Sequence, residues 1–380
     1  MAENLSFDAL VALLRRVFAL AEHERALLLL IDVPGGGRPD HSHWRDRRRI
    51  AVEWFEMLRA GRTALPFTTI ELATYPNVGS NNGDLPAEVT RLATTVDGDV
   101  VGATGERVAL RTLLSEASVV LAPTELSATA PLKLLARELG FRGATLPDFR
   151  RAMIPTLALD WTAVDARVRT LAARLDLADA AEIRFAVEGT SHALHLDLRG
   201  GRPHISGGLI PEPGTVSNLP TGETYIVPYE GERSGDPSRS AGTLPVEIDG
   251  GVVLYRIAGN RAVEVLSQGA RSAAERASLA AEPAYGNLAE LGLGVLGEWG
   301  IAAIGSVLLD EKLGLHIAFG RSDHFGGAVG PRDFRDPARV VHVDRVFVPE
   351  CQPRVRVDEV TLSCGGRPLE VLMRDGRYVA

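Results

Sequence analysis

The segment with the clearest chemical potential is a strand-like run near the C-terminus that contains one histidine and one aspartate. In Val340–Val348, His342 and Asp344 are separated by one residue, and the β-branched residues around them favour a strand. Because side chains in a strand alternate between two faces, both emerge on the same face. An imidazole and a carboxylate so placed can bind one metal ion or two adjacent ions. Taken alone, this short pattern is more typical of a hydrogen-bonded His–Asp pair.

Three further segments place polar residues in apolar, glycine-rich surroundings. His316 begins an apolar strand after a turn, so its imidazole must be exposed or hydrogen-bonded. Glu290 lies in the apolar stretch Tyr285–Gly294, where an unpaired carboxylate is costly and needs a cation, a donor or a proton. Glu223 lies at the start of a predicted strand. Each residue by itself is typical of an ordinary structural position, so only the combination is informative.

In combination, these segments resemble the thermophilic aminopeptidase family, of the aminopeptidase T/S type. The resemblance rests on the order N-L-P-x-G-E, N-x-A-E-L-G-x-G, L-D-E-K-x-G-x-H-I-A-x-G, G-G and H-x-D, and it covers residues 185–380 well. It implies a dinuclear metallopeptidase that forms a homodimer. The implied metal ligands are Glu223, Glu290, His316, His342 and Asp344. This set of carboxylates and imidazoles suits two divalent ions of zinc, cobalt or manganese.

The chemistry that the resemblance implies is hydrolysis of an amide bond. Water held between two metal ions loses a proton near neutral pH and attacks the scissile carbonyl, and the second ion can hold the substrate's free α-amine. The resemblance therefore predicts a small peptide or amide as the substrate, with no serine or cysteine nucleophile.

The sequence departs from this family seven residues after the first histidine ligand, where a tyrosine is usual. The residue here is Asp323, which cannot donate a hydrogen bond unless it is protonated. We therefore predict two candidate catalytic residues, Asp323 as a proton shuttle and His324 as a hydrogen-bond donor. The alternative interpretation is that Arg321–His324 is an exposed turn without a catalytic role.

A related family leaves other activities open. The same segments are similar to those of the iron-dependent dihydroxypyridine dioxygenases, which use a single Fe(II) bound by two histidines and one carboxylate. Those enzymes have a histidine where the peptidases have their second glutamate, and Glu290 is the peptidase residue. A triad of His316, His342 and Asp344 still keeps a mononuclear Fe(II) oxygenase as the alternative. A metal-binding homologue without peptidase activity is a third possibility.

Predicted elements divide the chain near residue 150. Over residues 1–150, apolar strands alternate with helices, which predicts an α/β layered domain with a largely parallel sheet. Over residues 151–380, one helix is followed by short alternating runs separated by Gly, Pro and Asn, which predicts a strand-rich α+β domain that carries the metal site. The predicted helices are 5–23, Arg48–Ala60, Gly105–Ala117, Pro131–Leu139 and Trp161–Leu175.

Composition excludes several classes of protein. With 45% hydrophobic and 24% charged residues, the 380-residue chain is not disordered throughout. Its net charge of -8 argues against a nucleic-acid or anionic-membrane binder. Two cysteines exclude a disulfide scaffold and a thiolate zinc cluster. The N-terminal residues do not resemble a secretory signal, and Ala26–Val33 is too short to span a membrane, so we predict a cytoplasmic protein.

One basic run stands apart from these motifs. Residues His41–Arg49 contain two histidines and several arginines. The pattern is typical of a solvated helix start, and a patch that binds phosphate or carboxylate is the alternative.

Overall fold

The chain forms two compact units in a computed structural model that describes residues 4–35, 37–336 and 339–379. The first unit comprises the residues up to Asp165 together with Gly208–Thr221, and the second comprises Ala166–Gly207 and Gly222 onward. Residues 1–3, which belong to the segment judged unlike a secretory signal, lie outside the described residues. None of the described helices is both long and apolar enough to cross a membrane.

The described residues form eight α-helices and twenty strands. The helices are α1 Phe7–Phe18, α2 Ser42–Ala60, α3 Leu110–Glu116, α4 Thr129–Leu139, α5 Ile154–Leu157, α6 Trp161–Asp176, α7 Ala270–Ala281 and α8 Val307–Asp310. The strands are β1 Glu24–Val33, β2 Phe67–Pro76, β3 Glu88–Leu92, β4 Gly105–Ala109, β5 Ala117–Ala122, β6 Arg142–Thr145, β7 Ala180–Val187, β8 Thr190–Asp197, β9 His204–Ser206, β10 Val216–Asn218, β11 Glu223–Ile226, β12 Ala241–Ile248, β13 Gly251–Ala258, β14 Arg261–Val265, β15 Leu288–Gly294, β16 Leu315–Gly320, β17 His342–Val346, β18 Arg356–Cys364, β19 Arg367–Arg374 and β20 Arg377–Tyr378.

The first unit is an α/β layer around a seven-stranded sheet in the order β10-β6-β5-β1-β2-β3-β4. Pairing is parallel from β10 to β2, and β3 and β4 add an antiparallel edge. Residues 26–31 of the central strand β1 form a continuous apolar run, and the strand is buried along most of its length. This is the pattern of a parallel strand with both faces covered. The predicted α/β layer with a largely parallel sheet is confirmed.

One predicted helix of this unit is wrong in its first half. The segment Gly105–Ala117 was expected to be helical throughout, but its first five residues form β4 and the helix begins at Leu110. Strand β4 pairs with β3, and Val108 lies opposite Val89. Gly105 lies so close to Arg91 that an added Cβ would come 2.1 Å from the Arg91 carbonyl oxygen. Pairing with the preceding strand β3 therefore outweighed local helix propensity.

The expectation of a solvated helix start over His41–Arg49 is wrong for two of its arginines. Helix α2 begins at Ser42, and the side chains of Arg47 and Arg48 are buried. Arg47 forms ion pairs with Glu125 at 2.6 Å and with Asp148 at 2.9 Å, and Arg48 is likewise bonded to two aspartates. Because each buried guanidinium has carboxylate partners, its desolvation is compensated.

The second unit is built from two antiparallel sheets. The eight-stranded sheet has the order β14-β13-β12-β8-β7-β18-β19-β20, and helix α7 contacts its β13 and β14 strands. The five-stranded sheet has the order β17-β16-β15-β11-β9. The predicted strand-rich α+β character of the C-terminal region is confirmed. The five-stranded sheet carries the residues singled out in the sequence.

Candidate metal centre

The structure brings the five predicted metal ligands together on one face of the five-stranded sheet. They belong to four adjacent strands: Glu223 begins β11, Glu290 lies in β15, His316 in β16, and His342 and Asp344 in β17. Residues directly opposite each other in a sheet share a face. Because the four strands are adjacent, residues far apart in sequence lie within contact distance.

The register explains how such bulky polar groups fit beside one another. Glu290 and Asp344 both pair with Ala318, which lies between them in β16. His316 lies opposite Gly292 in β15, and an added Cβ at Gly292 would come 1.9 Å from His316 Nε2. The small residues therefore leave the space that the imidazole and carboxylates occupy.

Glu290 is the centre of the arrangement. Its Oε1 atom lies 3.2 Å from His316 Nε2, and its Oε2 atom lies 3.3 Å from His342 Nε2. Two groups of possible ligands share this carboxylate, one with Glu223 and His316 and the other with His342 and Asp344, and within each group the ligand atoms lie within 4.8 Å of one another. Each group contains one histidine. A carboxylate shared in this way has one oxygen available to each of two ions.

Both histidines are oriented by backbone carbonyl groups. The Nδ1 atom of His316 is 3.3 Å from the Gly314 carbonyl oxygen, and Nδ1 of His342 is 2.8 Å from that of Arg321. An Nδ1–H group donating to a carbonyl leaves Nε2 facing the carboxylates. Metal-binding histidines are commonly oriented by such a second hydrogen bond.

The carboxylates are buried to a degree that calls for a cation. Glu223 and Glu290 are 5% and 4% exposed, and His316 is fully buried. The Oε2 atom of Glu223 has no hydrogen-bond partner among the described residues, and His316 Nε2 lies 3.5 Å from it. A buried carboxylate oxygen without a donor is costly, and a bound cation would satisfy it. The donor set therefore fits divalent metal ions.

The neighbouring carboxylates raise the pKa values of both histidines. Burial alone would lower the pKa of His316, but the carboxylates of Glu290 and Glu223 outweigh burial and raise it to about 9. Burial opposes protonation of His342 as well, yet Asp344 and Glu290 raise its pKa to about 11. Burial would raise the pKa of Asp344, whereas His342 and His316 hold it below its usual value. Without metal, the two imidazolium groups therefore supply positive charge at neutral pH.

Sequence reasoning missed two residues of this site, Glu311 and Lys312. They lie in a short 3-10 turn, Glu311–Leu313, between α8 and β16. The buried ammonium group of Lys312 donates to Glu223 Oε1 at 2.5 Å and also to Glu311. Both residues were visible within the L-D-E-K motif. The sequence alone did not distinguish them, since adjacent acidic and basic residues are ordinarily a solvated pair.

Glu311 differs from the other carboxylates in its proton affinity. Burial raises its pKa well above the usual value, and the nearby Lys312 opposes this effect. It also forms a hydrogen bond with the ligand candidate Asp344. Glu311 is therefore a carboxyl group that can hold a proton beside the two ligand groups.

The two predicted catalytic residues lie in a 3-10 turn over Asp323–Phe325 and differ in their surroundings. The Asp323 carboxylate accepts a hydrogen bond from Arg321 Nε at 2.5 Å. The His324 ring centroid is 5.2 Å from that of His342, and the rings are nearly perpendicular. Asp323 and His324 are both exposed. Partial burial of the His324 ring, together with the nearby His342 and Arg321, lowers its pKa to about 4, so the ring is neutral at pH 7. His324 is thus beside the ligand groups, whereas Asp323 is bonded to Arg321.

Comparisons with known proteins relate this chain to others by fold alone. No family model and no curated protein matches the sequence. The structure of 2,5-dihydroxypyridine dioxygenase from Pseudomonas putida KT2440 is similar, with a TM-score of 0.60, 14% identity, and coverage of 99% of this chain and 98% of that chain. Wild-type AmpT from Thermus thermophilus has a TM-score of 0.56, 16% identity and 98% coverage of both chains. These neighbours, an aminopeptidase and a dioxygenase, show a shared distant fold and assign no family.

Substituting Gly292 should disrupt metal binding while leaving the sheet folded. In Gly292→Ala the new Cβ would overlap the His316 ring, so the imidazole must move away from Glu290. We expect zinc affinity to fall by about 10- to 100-fold, as for loss of a group that orients a ligand. Calorimetric titration of the metal-free protein measures this. Gly251→Ala is the control, because its Cβ would lie at an ordinary 3.5 Å from its nearest neighbour. Equal affinities of the two variants would contradict the prediction.

Metal binding at pH 7 should release about two protons per chain, because both histidines have pKa values above 7 in the metal-free protein. Calorimetric titration with metal in buffers of different ionisation enthalpy measures the number of protons released. His316→Ala should release about one fewer, and His195→Ala, which is outside both ligand groups, should not change the release. If the unaltered protein releases almost no protons on binding metal, the assignment of His316 and His342 as metal ligands is refuted.

The raised histidine pKa values also set the pH dependence of stability without metal. Their contribution is fully present below the ordinary value of 6.5, and it is lost as the pH rises through about 9 and 11. The metal-free protein should therefore melt at a lower temperature at alkaline pH, and part of this decrease should disappear in His316→Ala.

Proposed function

We propose that this protein is a metal-dependent hydrolase of the aminopeptidase type, which binds two divalent ions of zinc, cobalt or manganese and cleaves a small peptide or amide. The observation that carries the proposal is the Glu290 carboxylate, which lies between two ligand groups with one histidine each. The proposed ligands are Glu223, Glu290, His316, His342 and Asp344. The homodimer implied by the family resemblance remains a prediction, and the molar mass of the purified protein in solution measures it.

Bound ions of this kind supply a polarised carbonyl group and a water with a lowered pKa. Glu311 would serve as the proton carrier of this site, because it is hydrogen-bonded to Asp344 and burial raises its pKa. The same carboxyl group can then donate the proton to the leaving amine. Lys312 neutralises part of the negative charge of Glu223 and Glu311 and holds both in place.

The neutral His324 supports the proposal as a hydrogen-bond donor near His342. Its low pKa keeps the ring uncharged, so it can donate one N–H without bringing another positive charge to the site. In this role His324 would replace the tyrosine that is usual in the thermophilic aminopeptidase family. Asp323 is proposed to orient the turn through its bond to Arg321.

The alternative activity is that of a mononuclear Fe(II) dioxygenase. A facial triad needs both histidines and one carboxylate on a single ion. In this chain, His316 and His342 contact opposite oxygens of Glu290 and belong to different ligand groups. The geometry therefore favours one histidine per ion, which supports the hydrolase.

Metal content and activity test the proposal together. The purified chain, loaded separately with zinc, cobalt, manganese and Fe(II), should bind two ions per chain, one for each ligand group. It should release amine from amino-acid p-nitroanilides or short peptides. One iron per chain, with oxygen consumption on a dihydroxypyridine and no hydrolysis, would establish the dioxygenase instead. Stable metal binding without either activity would identify a metal-binding homologue.

Replacing the proposed proton carrier should affect catalysis and spare the metal. We expect Glu311→Gln to lower kcat by about 10²- to 10⁴-fold, the usual contribution of a positioned acid or base. Metal content should remain that of the unaltered protein, since Glu311 belongs to neither ligand group. Steady-state kinetics with elemental analysis measure both. Glu350→Gln, at an exposed position, is the matched control. Retained kcat with retained metal would exclude this role for Glu311.

A further inference from the structure

A cavity with basic and aromatic walls lies in the second unit, outside the two ligand groups. Its volume is about 460 Å³, within the range of small-molecule sites. The lining residues that matter here are Arg199, Arg202, His204, Tyr229, Arg233 and Phe325. None of the roles described so far uses this cavity.

The cavity is separated from the candidate metal centre by a layer of aromatic rings. Phe325 lines the cavity, and its ring centroid is 5.4 Å from that of the ligand candidate His342. His204, also in the lining, stacks on Tyr225 at 4.9 Å and donates through Nε2 to the Phe325 carbonyl oxygen at 2.9 Å. Tyr225 follows Glu223 by two residues on the same face of β11. The cavity therefore adjoins the candidate metal centre across these rings.

The positive charges of the cavity are not all compensated. Arg199 is held by Asp197 at 2.8 Å and by Asp236 at 3.0 Å. Arg202 and Arg233 are exposed, and neither forms an ion pair within the part of the chain that the structure describes. The acidic member of the lining, Glu232, accepts a hydrogen bond from the Glu230 backbone N–H at 3.2 Å.

The backbone of Arg233 is held at the cavity wall by a hydrogen bond to Tyr229. The buried Tyr229 donates to the Asp236 carbonyl oxygen at 2.8 Å and accepts from the Arg233 backbone N–H at 3.1 Å. The Arg233 guanidinium lies 6.0 Å from the centre of the Tyr229 ring. Gly200 has φ +78, and an added Cβ would come 3.1 Å from the Arg233 guanidinium. The backbone of Arg233 is thus anchored, and its charged end faces a cavity that glycine leaves open.

We propose that this cavity, the Arg202–Arg233 pocket, binds a carboxylate group carried by the substrate and so selects acidic peptides or amides. Guanidinium groups without carboxylate partners suit a carboxylate, which they can bind through charge-assisted and often bidentate hydrogen bonds. The aromatic layer of Phe325 and His204 contacts the apolar part of the same substrate. The inference rests on the proposed hydrolase function, since it names the substrate class of that site.

Paired substrates that differ only in charge test the selection. The pairs are the p-nitroanilides of glutamate and glutamine, which place the carboxylate on the acyl side, and the dipeptide amides Leu-Glu and Leu-Gln, which place it on the amine side. In the pair that places the carboxylate in the pocket, the acidic substrate should have a kcat/KM about 10- to 100-fold higher than its neutral partner, as expected for a charged hydrogen bond. Arg202→Gln and Arg233→Gln should each reduce this ratio, and the double variant should abolish it. Arg377→Gln, at an exposed position outside the pocket, should keep the ratio unchanged.

Direct binding separates failure of this inference from failure of the proposed function. Calorimetry of the metal-loaded full chain with glutarate, and with the neutral diamide of the same acid, should show stronger binding of glutarate and its loss in the double variant. If no substrate is hydrolysed but this difference persists, the hydrolase proposal fails and the carboxylate pocket stands. Equal glutarate binding by the unaltered protein and the double variant overturns the pocket, as does an acidic preference that survives both substitutions.

Discussion

The central physical constraint on this protein is the burial of several carboxylates in one small volume. Glu223, Glu290 and Asp344 lie on one sheet face, and Glu311 is hydrogen-bonded to Asp344. Lys312 supplies one positive charge, and the two histidines supply more only when they are protonated. Mutual repulsion and desolvation make such a cluster unfavourable without cations. This surplus of negative charge favours histidine protonation and suits bound cations, and burial raises the proton affinity of Glu311.

The antiparallel sheet makes the cluster possible because it fixes each candidate ligand in a rigid register. Directly opposite side chains of adjacent strands are only about 5 Å apart, so a row of large residues would exclude the polar groups. Gly292 and Ala318 occupy the intervening positions and leave room for His316 and for the pair Glu290 and Asp344. The histidines are oriented by carbonyl groups of the same backbone. The site is thus held by regular structure more than by flexible loops, as precise ligand geometry requires.

The segments that we propose to select the substrate lie outside that rigid face. The turn with His324 and Phe325 lies against His342, and the segment with Tyr229 and Arg233 forms the wall of the proposed carboxylate pocket. A common fold hosts different reactions when such peripheral residues change and the scaffold stays the same. The similarity in fold to both an aminopeptidase and a dioxygenase is consistent with this division between scaffold and substrate contacts.

Sequence alone determined the α/β and strand-rich halves, the strand positions of Glu223 and His316, and the shared face of His342 and Asp344, because these features depend on local periodicity. It could not place four strands side by side, since strand pairing joins residues that are distant along the chain. Tertiary structure therefore decided that Glu290 lies between two histidines, that Lys312 is buried against Glu223, and that Gly105–Ala109 is a strand. Burial turned an ordinary charged run, Glu311 and Lys312, into part of a site, because the energy of a charge depends on what surrounds it in space.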